Sequence, residues 1–176
     1  MPLTYEEWLD LPSPECGTDE VVNGELRLVP VRLYPHAEII SHIIHGFRSL
    51  PENALILGSS LGLMISHEPL TCRSPDVVVY RRDGMIIRDG WHWSAPGLIV
   101  EVLSPSENRR RKEEKLADYA SIGVPEVWLI SPQAETVEIR QLKDGKLERI
   151  SILAEGSLKP SQFPEVSVSV SALFPE

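Results

Sequence analysis

Histidine clusters, glycine-rich phosphate loops and long apolar runs are missing from this 176-residue chain, and cysteine is scarce. Cys16 and Cys72 stand far apart without metal-ligand spacing, which suits a reducing interior better than a disulfide scaffold, with a single bridge left as the alternative. The five histidines form no HExxH. His42 and His45 share a helix face, but as surface or half-buried residues rather than zinc ligands. GSSLG at 58–62 has neither a dinucleotide fingerprint's spacing nor a following Lys-Ser/Thr, which argues against a nucleotide fold. No apolar run approaches the roughly 18 residues of a membrane span. The acidic, proline-broken start MPLTYEEWLDLPSP does not read as a signal peptide, so a cytoplasmic protein without membrane association is expected. Basic charge is also short: 17 Lys and Arg against 26 Asp and Glu give a formal charge of −9. The average surface repels polyanions, which excludes a non-specific DNA coat but not a local basic strip working with divalent ions.

What is present fits a single domain over residues 1–176: 42% of residues are apolar, enough for a sizeable core. Thr4 and Glu7 have capping-box spacing for a short helix over 4–10. VVNGEL predicts a hairpin around Asn23-Gly24. From His36 to Leu50, apolar residues recur at helical spacing through Ile39, Ile40, Ile43, Ile44 and Phe47, and Pro51 stops the pattern. ALILGSSLGLMI predicts one or two strands with glycine bends, VVVY at 77–80 a buried strand, and residues 81–97 a loop or small hairpin. Ser104, Pro105 and Glu107 read as cap, first turn and third position of a helix that ends at Gly123. Strands are expected at 127–130, 136–142 and 146–153, the last two joined by Asp144-Gly145, and VSVSV before ALF reads as an edge strand or a short packed terminal segment. The order predicts an α/β fold with a mixed central β-sheet flanked by helices.

The chemistry concentrates in two carboxylates beside apolar strands, Asp76 in SPDVVVY and Glu101 in LIVEVLS. An unpaired buried charge costs several kcal/mol, so each needs a cation or solvent. If the strands are neighbours, both oxygens can converge on one hard cation such as Mg²⁺; strand-end solvation or ion pairing is the alternative. Lys112, Lys115 and Tyr119 share one helix face, which could bring an ammonium to that site or simply be solvated. Arg109, Arg110, Arg111 and Lys112, with Arg81 and Arg82, would supply local positive charge for a phosphate backbone or for solubility. Ser104 lacks a Gly-x-Ser-x-Gly setting, so it reads as a cap.

SPDVVVY, LIVEVLSPS, KLADYASIGVPEVWLI and the weaker DEVVNGEL, in this order and spacing, resemble the Uma2 family, grouped with restriction endonucleases in the PD-(D/E)XK nuclease superfamily. The resemblance implies a restriction-endonuclease-like core and Asp76 and Glu101 as acidic metal ligands. The usual lysine two positions after the glutamate is Leu103 here, and the resemblance transfers its role to Lys115. It also implies that Glu20 joins the metal site and that His36, with Tyr119, supports it or contacts phosphate. Arg111 stands where many relatives carry an aspartate, and Val127-Trp128 and Ser131-Pro132 replace the usual Tyr-Trp and Asp-Pro. The resulting expectation is a Mg²⁺-dependent endonuclease, with Mn²⁺ as substitute, acting on DNA as a homodimer or higher homo-oligomer. The alternative is a catalytically weak or inactive nuclease-fold protein that binds nucleic acid or a protein partner.

Overall fold

A computed structural model describes residues 1–14, 17–29, 34–58, 61–105 and 108–175. Helix α1 (Tyr5–Leu9) starts with the expected capping box: the Glu7 amide donates to Thr4 Oγ1, and the Thr4 amide to Glu7. Strands β1 (Thr18–Val22) and β2 (Glu25–Val29) form the hairpin, with Asn23 and Gly24 both at positive φ as a two-residue turn of this twist requires. Helix α2 spans His36–Gly46 and stops short of Leu50. Gly46 weakens the helix, and a Cβ there would come within 2.9 Å of the Val168 side chain, so its bareness admits the C-terminal segment.

Next come β3 (Ala54–Gly58), β4 (Leu63–Ser66), β5 (Thr71–Arg73), β6 (Val77–Arg81), the small hairpin β7 (Ile87–Arg88) and β8 (Trp91–His92), and β9 (Leu98–Val102). Helix α3 (Arg109–Ser121) leads to β10 (Glu126–Ser131), β11 (Thr136–Lys143) and β12 (Lys146–Leu153). Two short strands, β13 (Ser157–Leu158) and β14 (Val168–Ser169), pair with each other. Ala-Leu-Phe enters a 3₁₀ turn over Ser171–Leu173 and its C-cap, so VSVSV contributes only a two-residue strand.

The central sheet has the order β12-β11-β10-β9-β6-β3; β9 and β10 are parallel across the α3 crossover, and the other neighbours are antiparallel. This is the mixed sheet expected from the sequence. A second six-stranded sheet, β2-β1-β5-β4-β8-β7, uses segments that all precede β9.

Both faces of the central sheet are covered, which explains the near-continuous apolar runs of β6 and β9. Val77, Val79, Leu98 and Val100 pack with Ile39, Ile43 and Phe47 of α2. Val78, Tyr80 and Ile99 pack with Leu116 and Tyr119 of α3. Glu101 is two residues beyond Ile99, so the strand's period of two turns it toward α3. Among the described residues, no helix is long and apolar enough to cross a membrane.

The start of α3 differs from expectation. Asn108 is the N-cap, its Oδ1 accepting from the Arg111 amide at 2.9 Å, and Ser104 lies four residues upstream. Two cap formers are available here, and the structure uses Asn108; Glu107 lies outside the described residues. The other end follows expectation: Gly123 at φ +85° accompanies amide bonds from Gly123 to Ala120 and from Val124 to Tyr119. This paired closure satisfies the last carbonyls of the helix.

Candidate functional site

Antiparallel β6 and β9 pair Val77 with Val100, and continuing that register brings Asp76 opposite Glu101. Asp76 Oδ2 accepts from the Val102 amide at 2.8 Å, so the side chain replaces a strand partner just where β6 begins. His36, opening α2, puts Nε2 3.2 Å from Asp76 Oδ1. That nitrogen is buried yet makes no well-aligned hydrogen bond, so the contact is one of proximity.

Glu101 is buried, and α3 supplies what its charge requires. Tyr119 Oη donates to Oε1 at 2.5 Å, and Lys115 Nζ reaches Oε2 at 3.2 Å. Lys115 and Tyr119 are four residues apart on one helix face, the geometry expected from their spacing. Burial pushes the Glu101 carboxyl up to about 7; Lys115 and the Tyr119 hydroxyl oppose this, while Asp76 and Glu20 reinforce it. Burial, followed by the facing Glu101 charge, raises the Tyr119 phenol well above its usual range and keeps it a donor.

Glu20, at the middle of β1, accepts from Arg73 Nη1 at 3.2 Å and from the Ser74 amide at 3.0 Å. Both of its oxygens are thus held by residues just upstream of Asp76. Arg73 also reaches α3, with Nε donating to Asp118 Oδ2 at 2.7 Å and Nη2 lying 3.6 Å from Glu114 Oε2. Arg27 completes the chain of charges with a two-pronged contact to Glu114, which holds that carboxyl below its usual range. Burial raises Asp118, and Arg73 pulls it back.

The sequence singled out neither Arg73 nor its acidic partners on α3. Glu114 and Asp118 are like charges four apart on one helix face, an unfavourable pairing unless a cation lies beside them. That spacing was the available clue.

The basic residues divide. Arg109 and Lys112 line a cavity of about 330 Å³ at the carboxyl ends of parallel β9 and β10, together with Ser104, Ser131 and Gln133. Lys112 and Leu103 also border the narrow gap over Glu101 and Lys115, so the cavity adjoins the buried site. Arg111 is exposed in the first turn of α3. Arg81 lies five residues along β6 from Asp76, about 16 Å at the usual strand rise, and binds the Gln162 carbonyl and Glu165. Arg81 therefore does not add charge beside Asp76 as expected. Cys72 is free and buried, and Cys16 lies outside the described residues.

Asp76 and Glu101 face each other and have the oxygen chemistry a hard cation prefers. That much fits Mg²⁺. Among the described residues, however, no group of three or more His, Cys, Asp or Glu side chains is arranged to hold a metal ion. Glu20 in particular is engaged by Arg73 and Ser74.

No curated protein matches the chain. A crystal structure described as "a putative nuclease belonging to DUF820", from Anabaena variabilis ATCC 29413, is similar over 98% of each chain at 22% identity, with a TM-score of 0.81. That similarity shows a nuclease-like fold. A family model, Uma2, described as "Putative restriction endonuclease", matches residues 5–171. The chain belongs to the Uma2 family.

Proposed function

We propose that this chain is a nuclease-fold protein with weak or no hydrolytic activity in the arrangement described, which uses the cationic cavity adjoining its acidic site to bind nucleic acid. The observation that carries this reading is the commitment of the carboxylates to protein partners. Tyr119 and Lys115 hold Glu101, the Val102 amide holds one oxygen of Asp76, and Arg73 with Ser74 holds Glu20. A catalytic metal site needs such oxygens directed at the ion. Arg109 and Lys112 offer the cationic contacts a phosphate backbone requires, and with a chain charge of −9 the binding should be weak and salt-sensitive.

A second reading, a Mg²⁺-dependent endonuclease that hydrolyses phosphodiester bonds in DNA, is favoured by the facing positions of Asp76 and Glu101 and by the buried, unbonded Nε2 of His36. Asp76 and Glu101 would hold Mg²⁺ or Mn²⁺, with Glu20 as third ligand only after leaving Arg73. The ion would supply charge screening and an acidified water. Lys115 would carry an ammonium to the phosphate, Tyr119 would fix the orientation of Glu101, and His36 would support Asp76 or contact phosphate. Within either reading we take the whole chain as one domain, working in the cytoplasm, and in the second as a homodimer, since two sites facing a duplex would give symmetric cuts.

The experiment is cleavage of double-stranded DNA, single-stranded DNA and RNA with Mg²⁺ and with Mn²⁺, run beside fluorescence-anisotropy binding, on the wild type and Asp76→Ala. The first reading expects binding with no cleavage above the Asp76→Ala background. Multiple turnovers that vanish in Asp76→Ala would establish the second. Absence of nucleic-acid binding at low salt would direct the search to a protein partner.

A further inference from the structure

The Arg73 side chain is 3% exposed and meets carboxylates from two other elements. Asp118 anchors it: Nε and Nη2 approach the same oxygen, Oδ2, at 2.7 and 2.6 Å. The remaining Nη1 reaches Glu20 Oε2 at 3.2 Å, and the other Glu20 oxygen is held by the amide of the next residue, Ser74. Asp118 lies between Lys115 and Tyr119 in sequence, and Asp76 is three residues beyond Arg73. One guanidinium thus ties β1, the lead-in to β6, and α3.

A buried ion pair of this kind is held by the cost of separating its members, because a carboxylate left without a partner bears the full desolvation penalty. A divalent ion beside Asp76 and Glu101 could recruit Glu20 only by drawing Oε2 from Arg73. Sharing that oxygen would bring a guanidinium and a dication within a few ångströms in a setting that screens charge poorly.

We propose that Arg73 is the resident counter-ion of this acidic site: it competes with a divalent cation for Glu20 and so limits how tightly the site binds one. This rests on the reading of Asp76 and Glu101 as divalent-ion ligands. Arg73 acts here as a positioning residue: with the Ser74 amide it occupies the Glu20 oxygens that a cation would otherwise use.

The test is calorimetry with Mn²⁺ on the full chain as wild type, Arg73→Gln and Arg73→Lys, with folding followed by circular dichroism. Arg73→Gln removes the charge while keeping an amide for Asp118, and it should bind Mn²⁺ roughly tenfold more tightly than wild type. Arg73→Lys restores a cation and should return the affinity toward the wild-type value, which loss of packing alone would not do. In a wild-type crystal soaked in Mn²⁺, Glu20 should leave ion-pair distance of Arg73. Wild-type binding of Mn²⁺ as tight as, or tighter than, that of a folded Arg73→Gln overturns the counter-ion role and leaves the metal site standing. Absence of Mn²⁺ binding in all three proteins overturns both. Should Arg73→Gln fail to fold, the soak decides: Mn²⁺ between Asp76 and Glu101 with the Arg73–Glu20 contact intact overturns the competition.

Discussion

Replacing Glu101 by Gln should make the protein relatively more stable as pH rises, in a way that isolates one buried charge. Glu101 is pushed up to about 7 from its usual 4.5, burial being the largest cause. Between these values the folded protein keeps a proton that the unfolded chain has released. Stability falls as pH increases wherever the folded state binds more protons. The favourable contribution is therefore complete below 4.5, is lost through the interval, and is gone above about 7. At roughly 1.4 kcal/mol per pH unit, that interval is worth about 3 kcal/mol.

Glutamine keeps an acceptor for the Tyr119 hydroxyl and cannot ionise. Urea unfolding of wild type and Glu101→Gln at pH 4.5, 6 and 8 gives the stability difference at each pH, and groups common to both proteins cancel. Relative to wild type, the variant should gain about 3 kcal/mol between the lowest and highest pH. A difference that stays flat would refute the argument, because it would mean that Lys115 and Tyr119 cancel the effect of burial and leave Glu101 titrating as it does in the unfolded chain. A difference of opposite sign would mean that they depress its carboxyl below 4.5.

Two further outcomes concern parts of the fold away from Glu101. Asn108→Ala should cost about 1 kcal/mol of stability in urea melts through loss of the helix cap, and an unchanged melt would overturn the assignment of the cap to Asn108. Cys72 is buried, and burial pushes its thiol up to about 12; a Cys16→Ser protein should react with a thiol reagent at pH 8 only on unfolding, and rapid labelling of the folded protein would contradict the burial.

Local chemistry made much of this protein legible in its sequence. Thr4 with Glu7, Asn23-Gly24, Asp144-Gly145 and Gly123 each satisfy a backbone requirement within a few residues, so their turns and caps need no distant partner. The runs in β6 and β9 likewise announced strands covered on both faces, and the spacing of Lys115 and Tyr119 put them on one side of α3. Less legible were choices between similar local options. Ser104 and Asn108 are both good caps, and the folded chain uses Asn108; residue 46 must be a glycine because the distant Val168 packs where a Cβ would lie.

The sequence by itself determined that Glu101 would be a carboxylate in an apolar strand, since alternation and burial follow from neighbouring residues. Only tertiary structure decided what answers that charge. Tyr119 and Lys115 reach it across the α3 crossover, Asp76 faces it through an antiparallel register, and Arg73 takes Glu20 into a separate ion pair. The reason is range: hydrogen bonds in turns and caps close over three or four residues, whereas the electrostatic balance of a buried site depends on which charges fold together from positions 20, 73, 101 and 118.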